Sequence, residues 1–297
     1  MKASSVATDI ETLLARVAAG EPAPVRLAAE DHLTNTIREK IRGMLTVRKP
    51  LDKAAKVLRM SKLGLPCKRR IWYDYNRPDM AEPLEGHTLL KFLIGDVAEA
   101  VLLFLAELSG HAVERQQEAV EWDGPNGWKV RGHIDAMLDG TVVDTKSASK
   151  YGFQKFKDGI TDANDDFGYR GQLDSYAEGT DINEAGWLVM QKDTGKLQYA
   201  PHAVHREGIM EHADDLIRVI EHPEPPARHF EDVADGKSGN RKLDVACSYC
   251  PFKHECWPEL RGFIYAKGPV WLTKVERTPD VPEITRGERD VEAQEAA

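Results

Sequence analysis

No run of apolar residues in this chain of 297 residues is long enough to cross a bilayer. The most apolar stretch, residues 97–108, is too short for that role and carries two glutamates. The N-terminal residues also lack the apolar core of a secretory signal peptide. Hydrophobic residues make up 41% of the chain and charged residues 30%, as is ordinary for soluble proteins. We therefore expect a cytoplasmic protein that buries a sizeable core.

Several widespread catalytic patterns are missing as well. The sequence has no Walker phosphate-binding loop, no Rossmann glycine fingerprint and no arrangement suggesting a nucleophilic Ser/His/Asp triad. Internal repeats are also absent. The carboxylates and cysteines are therefore the residues on which functional chemistry depends.

A predicted β-hairpin carries two of these carboxylates. The Asp139-Gly140 pair between β-branched and apolar runs is typical of a two-residue hairpin turn. With that turn Asp135 faces Asp144 and His133 faces Lys146, all on one side of the sheet. Two facing carboxylates need a shared proton or a divalent cation between them, unless the face is simply a solvated polar surface.

A third carboxylate lies in a helix predicted over residues 88–108. Glu99 is embedded in an apolar sequence where a buried charge is costly unless it is paired or binds a metal. With Asp135 and Asp144 it completes a set able to hold Mg²⁺ or Mn²⁺, an ion that would activate water for phosphodiester hydrolysis. Lys146 would stabilise the developing negative charge. The alternative is that Glu99 and Asp96 form the exposed edge of the helix.

A weaker signal comes from a short predicted helix near residue 170. Gln172 and Tyr176 are four residues apart and share a helical face, with Arg170 just before them. They suit hydrogen bonding to a phosphate or to the loop that carries the metal ligands.

The cysteines are more specific. Cys247, Cys250 and Cys256 form a compact run, and Cys67 is the one cysteine that could complete it. This three-plus-one set favours a [4Fe–4S] cluster over zinc or unliganded thiols. Such a cluster would join the two ends of the core.

Charge is unevenly distributed along the chain. The net charge is −9, yet residues 36–70 hold twelve Lys and Arg against two acids. This basic segment predicts contact with a phosphate backbone, unless it is a solvated helical face. Trp72, Tyr73 and Tyr75 follow it and could stack on unpaired bases or pack in the core.

The order of predicted elements indicates a mixed α/β sheet flanked by helices. The prediction is a helical region over residues 5–60, strands near 112–122, 128–138 and 141–147, and a second hairpin around Asp193-Thr194-Gly195. A helix over residues 208–221 follows. The acid-rich C-terminal sequence predicts disorder.

The combined motifs resemble the PD-(D/E)XK nuclease superfamily, in particular the RecB-like branch with a four-cysteine iron–sulfur cluster. That branch includes the AddB nuclease domain, CRISPR-associated iron–sulfur exonucleases and small phage-encoded relatives. The resemblance covers about residues 60–260. The motifs that carry it are Gly95 with Glu99, Asp135, Asp144-Thr145-Lys146, Gln172 with Tyr176, and the cysteines Cys67, Cys247, Cys250 and Cys256.

The resemblance implies a restriction-endonuclease-like core and a role for each motif. Asp135 and Asp144 would be metal-binding acids, the Thr145 carbonyl a further ligand and Lys146 the catalytic lysine. The pair at positions 172 and 176 would be the accessory motif of the RecB type. Many RecB-like members have His where this chain has Glu99, and this departure implies metal ligands that are oxygen atoms throughout.

These inferences predict a metal-dependent DNA nuclease of a bacterial or phage-infected cell. The expected domains are a partly basic helical region (1–60), a nuclease domain closed by the cysteine cluster (61–262) and an acidic disordered tail (263–297). We expect an exonuclease acting on DNA ends or single strands in recombination, repair or phage DNA processing, with recombination or CRISPR-adaptation proteins as partners. The alternatives are a structure-specific endonuclease and a non-catalytic DNA-binding accessory protein.

Overall fold

The computed structural model describes residues 1–46 and 50–284. The chain divides into two compact units. Unit 1 comprises Met1–Leu65 and Leu84–Arg218, and unit 2 comprises Pro66–Pro83 and Val219–Ala297. The predicted boundaries at residues 60 and 262 therefore do not coincide with the observed units, because each unit is assembled from two separated segments.

Helices contribute much of the described chain. Two of them begin at side-chain caps: Ser149 Oγ accepts a hydrogen bond from the Gly152 N–H before the helix Lys150–Asp158, and Asp244 Oδ1 accepts one from the Ala246 N–H before the helix Val245–Ser248. Within the described residues, no helix has the length and apolar character that a membrane crossing requires. The helices are α1 (Val6–Ala18), α2 (Leu27–Met44), α3 (Lys68–Asn76), α4 (Gly86–Leu108), α5 (Lys150–Asp158), α6 (Tyr169–Thr180), α7 (Ile209–Glu221), α8 (Val245–Ser248) and α9 (Lys253–Cys256).

Unit 1 contains two sheets. A three-stranded sheet has the order β1-β4-β3, and a five-stranded sheet has the order β2-β5-β6-β7-β8, in which β6 and β7 are parallel and the other pairs antiparallel. This architecture confirms the predicted mixed α/β class. The strands are β1 (Val57–Arg59), β2 (Val113–Glu114), β3 (Ala119–Asp123), β4 (Lys129–His133), β5 (Ala136–Leu138), β6 (Thr141–Ala148), β7 (Glu184–Gln191) and β8 (Leu197–Ala203).

The core of unit 1 lies where α1 and α4 cover the five-stranded sheet. Leu138, Val143 and Leu188 on neighbouring strands are fully buried against Ile10 and Leu102 of the two helices. Burial of such side chains contributes about 1.5–3 kcal/mol each. The strand that carries Asp144 and Lys146 is thus held at the centre of a packed sheet.

The predicted hairpin is confirmed at its turn and wrong at its far end. Leu138 pairs with Thr141, and Asp139 and Gly140 have φ angles of 49° and 84°, as a two-residue hairpin turn requires. The chain then bends at residues 134–135, and β4 belongs to the other sheet. His133 pairs with Ala119 of β3 and is exposed, so the prediction that it faces Lys146 is wrong.

Two helical predictions also need correction. The helical region does not extend to residue 60, because α2 ends at Met44 and β1 occupies Val57–Arg59. Helix α4 is observed where it was predicted, but only its second half is buried. Leu90 and Ile94 in the first half are 53% and 51% exposed, because the contacts with the core begin later in the helix.

Unit 2 contains an antiparallel sheet with the order β13-β11-β12-β10-β9. Phe263, Trp271 and Leu272 are buried in it, so the prediction of disorder from residue 263 is wrong for residues 263–284. Residues 263–284 carry three acidic and three basic side chains, so they have no acidic excess, and their apolar residues pack together. The remainder of the predicted tail lies outside the described residues. The strands are β9 (Val233–Ala234), β10 (Arg241–Lys242), β11 (Arg261–Tyr265), β12 (Gly268–Lys274) and β13 (Glu283–Ile284).

Candidate active site

Strand β6 supplies the centre of the candidate site. Asp144 and Lys146 are two residues apart, so both side chains lie on one face of the strand. Asp144 is 2% exposed, and its Oδ2 atom lies 2.5 Å from Lys146 Nζ. The two opposite charges therefore form a buried ion pair, which is the arrangement that makes such charges tolerable in a core.

Asp135 reaches the same place from the bend before β5. Its Oδ2 atom accepts hydrogen bonds from the Thr145 backbone N–H at 2.7 Å and from Thr145 Oγ1 at 3.0 Å. Its backbone carbonyl accepts from the Gln117 N–H at 3.1 Å. Asp135 is thereby fixed beside β6, although it belongs to no strand. Thr145, predicted as a carbonyl ligand, is observed here as the donor that orients Asp135.

Glu99 approaches from α4. Its Oε1 atom accepts a hydrogen bond from Gln117 Nε2 at 2.7 Å and lies 3.7 Å from Lys40 Nζ of α2. Burial and repulsion by Asp135 raise the pKa of Glu99 to about 8, with smaller contributions from Asp96 and Asp144 and with Lys40 acting in the opposite direction. Glu99 therefore lies within electrostatic range of Asp135 and Asp144. The alternative of an exposed edge shared with Asp96 does not describe Glu99, whose side chain is 15% exposed.

The buried pair on β6 is electrostatically coupled to this acid group. Burial raises the pKa of Asp144, and repulsion by Asp135 raises it further against the opposing attraction of Lys146. Burial alone would lower the pKa of Lys146, but the carboxylates of Asp144 and Asp135 outweigh it and raise the pKa. Lys146 is therefore a cation at neutral pH and faces the acids at close range.

Gln172 and Tyr176 of α6 adjoin the acids. Gln172 Nε2 donates a hydrogen bond to the Tyr176 hydroxyl at 2.8 Å. Burial raises the pKa of Tyr176, as does the neighbouring Asp144 carboxylate, so the phenol is neutral. Arg170 instead forms an ion pair with the exposed Asp162.

Close backbone packing positions α6. A Cβ atom added at Gly168 would lie 2.2 Å from the backbone carbonyl carbon of Gly64, and one at Gly171 would lie 2.6 Å from Gly64 Cα. Real Cβ atoms do not approach other atoms so closely. Glycine at these positions therefore allows the start of α6 to lie against the chain near residue 64.

The acids suit a hard divalent cation in their chemistry, since carboxylate oxygens are the ligands that Mg²⁺ and Mn²⁺ prefer. Asp144 Oδ2 is buried and accepts no hydrogen bond of acceptable geometry. This anionic oxygen therefore lacks a full set of hydrogen-bond partners. Hydrogen-bond donors of the protein engage one oxygen of Glu99 and one of Asp135, while Asp144 Oδ2 has the ammonium group of Lys146 beside it. In the described residues no group of three or more His, Cys, Asp or Glu side chains is arranged to chelate a metal ion directly.

Three residues of the site were missed by the sequence analysis. Gln117 joins Glu99 to Asp135 through its side chain and its backbone N–H. Lys40 was assigned only to the basic segment, and Tyr169 places its ring 5.4 Å from Lys146 Nζ. No local pattern signals any of them, because each acts across a long sequence separation.

The aromatic residues predicted to stack on bases are buried. Trp72, Tyr73 and Tyr75 are 6%, 8% and 3% exposed. In unit 2 the Tyr73 ring stacks on Phe252 with centroids 5.3 Å apart, and Trp72 Nε1 donates to the His222 carbonyl at 2.8 Å. Their role is core packing, and the stacking hypothesis is wrong for these three. Arg48 and Lys49 of the basic segment lie outside the described residues.

The four cysteines all belong to unit 2. Burial raises the pKa of the Cys247 thiol to about 12, with further contributions from Cys250, Cys67 and Cys256, so the other three cysteines lie within electrostatic range of Cys247. Burial also raises the pKa of Cys250 to about 11, while the nearby Arg70 cation opposes this rise. Arg70 Nε is buried without a hydrogen-bond partner. Thiolates are the ligands that soft metals prefer, but the four cysteines, like the acids, are not arranged as a metal-chelating group in the described residues.

Comparison with known proteins adds little to this description. No family model matches the chain, and no curated protein matches it. Among solved structures it is similar to SSO0001 at 15% sequence identity, covering 78% of this chain and 96% of that one, with a TM-score of 0.43. It is also similar to LHK-Exo, solved in complex with dAMP, at 13% identity, covering 55% and 90%, with a TM-score of 0.36. At these TM-scores neither similarity decides the fold or the function.

Proposed function

We propose that this chain is a metal-dependent deoxyribonuclease with a restriction-endonuclease-like core. The observation that supports the proposal is the buried Asp144–Lys146 pair, which is electrostatically coupled to Asp135 and to Glu99. Bringing like charges together in a buried place is costly, as the raised pKa of Glu99 indicates. A bound divalent cation would remove that cost.

The residues have distinct roles in this proposal. Glu99, Asp135 and Asp144 hold the cation, and the Thr145 carbonyl is a further candidate ligand. When bound, the cation supplies Lewis acidity at the phosphoryl group and lowers the pKa of a water molecule. Lys146 places a positive charge where negative charge develops on the phosphate.

The accessory pair completes the site. The Gln172–Tyr176 hydrogen bond fixes the tyrosine hydroxyl near Asp144, where it can orient the phosphate or the water. We propose that the substrate is DNA with an end or a single-stranded segment, and that the enzyme acts as an exonuclease.

Cleavage of end-labelled and circular DNA, single- and double-stranded, tests the proposal directly. The wild type should cleave linear DNA with Mg²⁺ or Mn²⁺ and should stop when EDTA is added. Asp144→Asn should abolish cleavage while DNA binding persists, whereas Asp158→Asn, at an exposed position on α5, should cleave normally. Binding without cleavage by the wild type would contradict the proposal and favour the non-catalytic alternative. Cleavage of circular DNA would indicate an endonuclease.

We also propose that Cys67, Cys247, Cys250 and Cys256 hold a [4Fe–4S] cluster with a structural role. The electrostatic coupling of the four thiols, of which Cys250 is buried and the others partly buried, and the unsatisfied Arg70 donor support this assignment. Protein purified anaerobically should absorb broadly in the visible range and contain about four iron and four sulfide per chain. One zinc per colourless chain would contradict it. Cys256→Ser should lose most of the iron, while serine at an exposed position such as Lys237 should not.

A further inference from the structure

A cavity of about 400 Å³ in unit 1 adjoins the acid group. Helix α2 forms one wall, α4 forms the other, and the segment before β3 closes one end. Its volume is within the range of about 300–1,000 Å³ that is typical of small-molecule sites. The proposed function, as derived above from the acids and Lys146, makes no use of this space.

The lining of the cavity combines apolar faces with neutral polar groups. Leu93, Leu103 and Met44 supply apolar surface, while Thr36 and Gln116 supply a hydroxyl and an amide. Apolar walls with a few hydrogen-bonding groups suit a flat ligand that has nonpolar faces and polar edges. A nucleobase has both properties.

The charges of the lining argue against a phosphate inside the cavity. Glu39 and Asp96 line it together with Glu99, and all three carry the sign of a phosphodiester when ionised. Lys40, the cation of this wall, lies 3.7 Å from Glu99 Oε1. The cavity therefore favours an uncharged portion of a ligand, whereas a phosphate is better placed outside, where a cation would compensate its charge.

Glu99 connects the cavity to the proposed site of hydrolysis. Its side chain lines the cavity and is repelled by the carboxylates of Asp135 and Asp144. Gln117 also borders the cavity and contacts both Glu99 and the Asp135 carbonyl. A ligand in the cavity would thus have its reacting bond beside the acids.

We infer that this cavity receives the base and sugar of one unpaired nucleotide next to the phosphodiester bond that is hydrolysed. The inference rests on the proposed function and adds a specificity pocket to it. A paired base cannot enter such a pocket until it has left its partner, which costs a few kcal/mol. The enzyme should therefore prefer single strands and frayed ends to fully paired duplex ends.

A larger side chain at position 43 can be used to fill the cavity. It borders the cavity within α2, and an added Cβ would meet no heavy atom within 4 Å. Gly43→Phe places a ring in this space, and Gly43→Ala is the matched control. Both replacements favour the helix over glycine, so neither threatens the fold.

The decisive measurement is cleavage of single-stranded oligonucleotides with a normal or an abasic terminal residue at either end. The wild type should cleave the normal substrate about tenfold faster, a difference of about 1.4 kcal/mol. Gly43→Ala, which adds a single methyl group, should keep more of this difference than Gly43→Phe. Gly43→Phe should slow the normal substrate to a similar degree and should no longer distinguish the two. A wild type indifferent to the abasic residue, or a Gly43→Phe enzyme that still discriminates, would overturn the inference.

Direct binding separates this inference from the proposed function. Deoxyadenosine and thymidine are uncharged probes, and ligand-observed NMR in EDTA measures their binding without cleavage. Binding by the wild type that is lost in Gly43→Phe supports the pocket even if no DNA is cleaved. Efficient cleavage without nucleoside binding and without an abasic effect would reject the pocket and leave the proposed function intact.

Discussion

The repulsion among the acids predicts that removing one of them stabilises the metal-free protein. Glu99→Gln keeps the shape of the side chain and an oxygen that can accept the hydrogen bond from Gln117. In the wild type, burial and Asp135 raise the pKa of Glu99 from its usual 4.5 to about 8. At pH 7 folding must therefore protonate a carboxyl that is ionised in the unfolded chain. Glutamine has no such requirement.

The size of the effect follows from this pKa difference. For each pH unit above the pKa of Glu99 in the unfolded chain, the free energy of unfolding falls by about 1.4 kcal/mol, until the pKa in the folded protein is reached. At pH 7 this protonation lowers the free energy of unfolding of the wild type by about 3 kcal/mol. The Lys40 contact at 3.7 Å, worth less than about 1 kcal/mol with an ionised carboxylate, is weaker still at pH 7 because Glu99 is then mostly protonated. The expected net gain is about 2 kcal/mol, or on the order of 5 °C in Tm.

Urea denaturation in EDTA at a series of pH values measures this gain. A raised pKa in the folded state destabilises increasingly between pH 4.5 and 8, so the advantage of Glu99→Gln should grow across that interval and disappear near pH 4.5. Glu107→Gln, on the same helix and facing Arg26 at 3.9 Å, is the control and should show no such trend. A variant no more stable than the wild type at pH 7, or a gain independent of pH, would refute the reasoning.

Three further predictions concern activity and stability. Lys146→Ala should lower kcat for DNA cleavage about 10²–10³-fold with an unchanged circular dichroism spectrum, and a loss below about fivefold would contradict its role. Gly168→Ala, at φ 76° and against facing backbone, should cost about 2–4 kcal/mol in urea denaturation, whereas Gly159→Ala, at φ 97° in open space, should cost about 1–2 kcal/mol. Burial raises the pKa of Asp139, but hydrogen bonds from His111 and a backbone N–H outweigh it and lower the pKa below 3.8. Wild-type stability should therefore fall as pH drops from about 5 to 2, and Asp139→Asn should flatten that loss.

Local sequence signals predicted the elements that depend on neighbouring residues. The turn at Asp139-Gly140, the hairpin around residues 193–195 and the helix bearing Gln172 and Tyr176 are observed where they were expected. Each rests on turn chemistry or on apolar periodicity, which act over a few residues.

Long-range packing determined what the sequence analysis missed. Strands β3 and β4 read as a continuation of the hairpin but belong to a second sheet, because β1 from a distant segment pairs with β4. Lys40 and Gln117 reach Glu99 from 59 and 18 residues away. Residues 263–284 were assigned to the acidic tail although they carry three acidic and three basic side chains, and Phe263 and Leu272 among them are buried together in a sheet.

Asp135 shows how a partly wrong register led to the right group of residues. The ladder between β5 and β6 ends at Ala136 and Val143, so Asp135 does not face Asp144 as a strand residue. Its carboxylate instead accepts the Thr145 N–H, a donor that would otherwise lack a partner on that side of β6. The Asp135 carboxylate thus accepts a backbone hydrogen bond from β6 and also belongs to the acid group. Loss of cleavage in Asp135→Ala would therefore not by itself identify a metal ligand, because the variant also frees a buried donor. Asp144→Asn leaves this hydrogen bond in place and is the sharper test of the site.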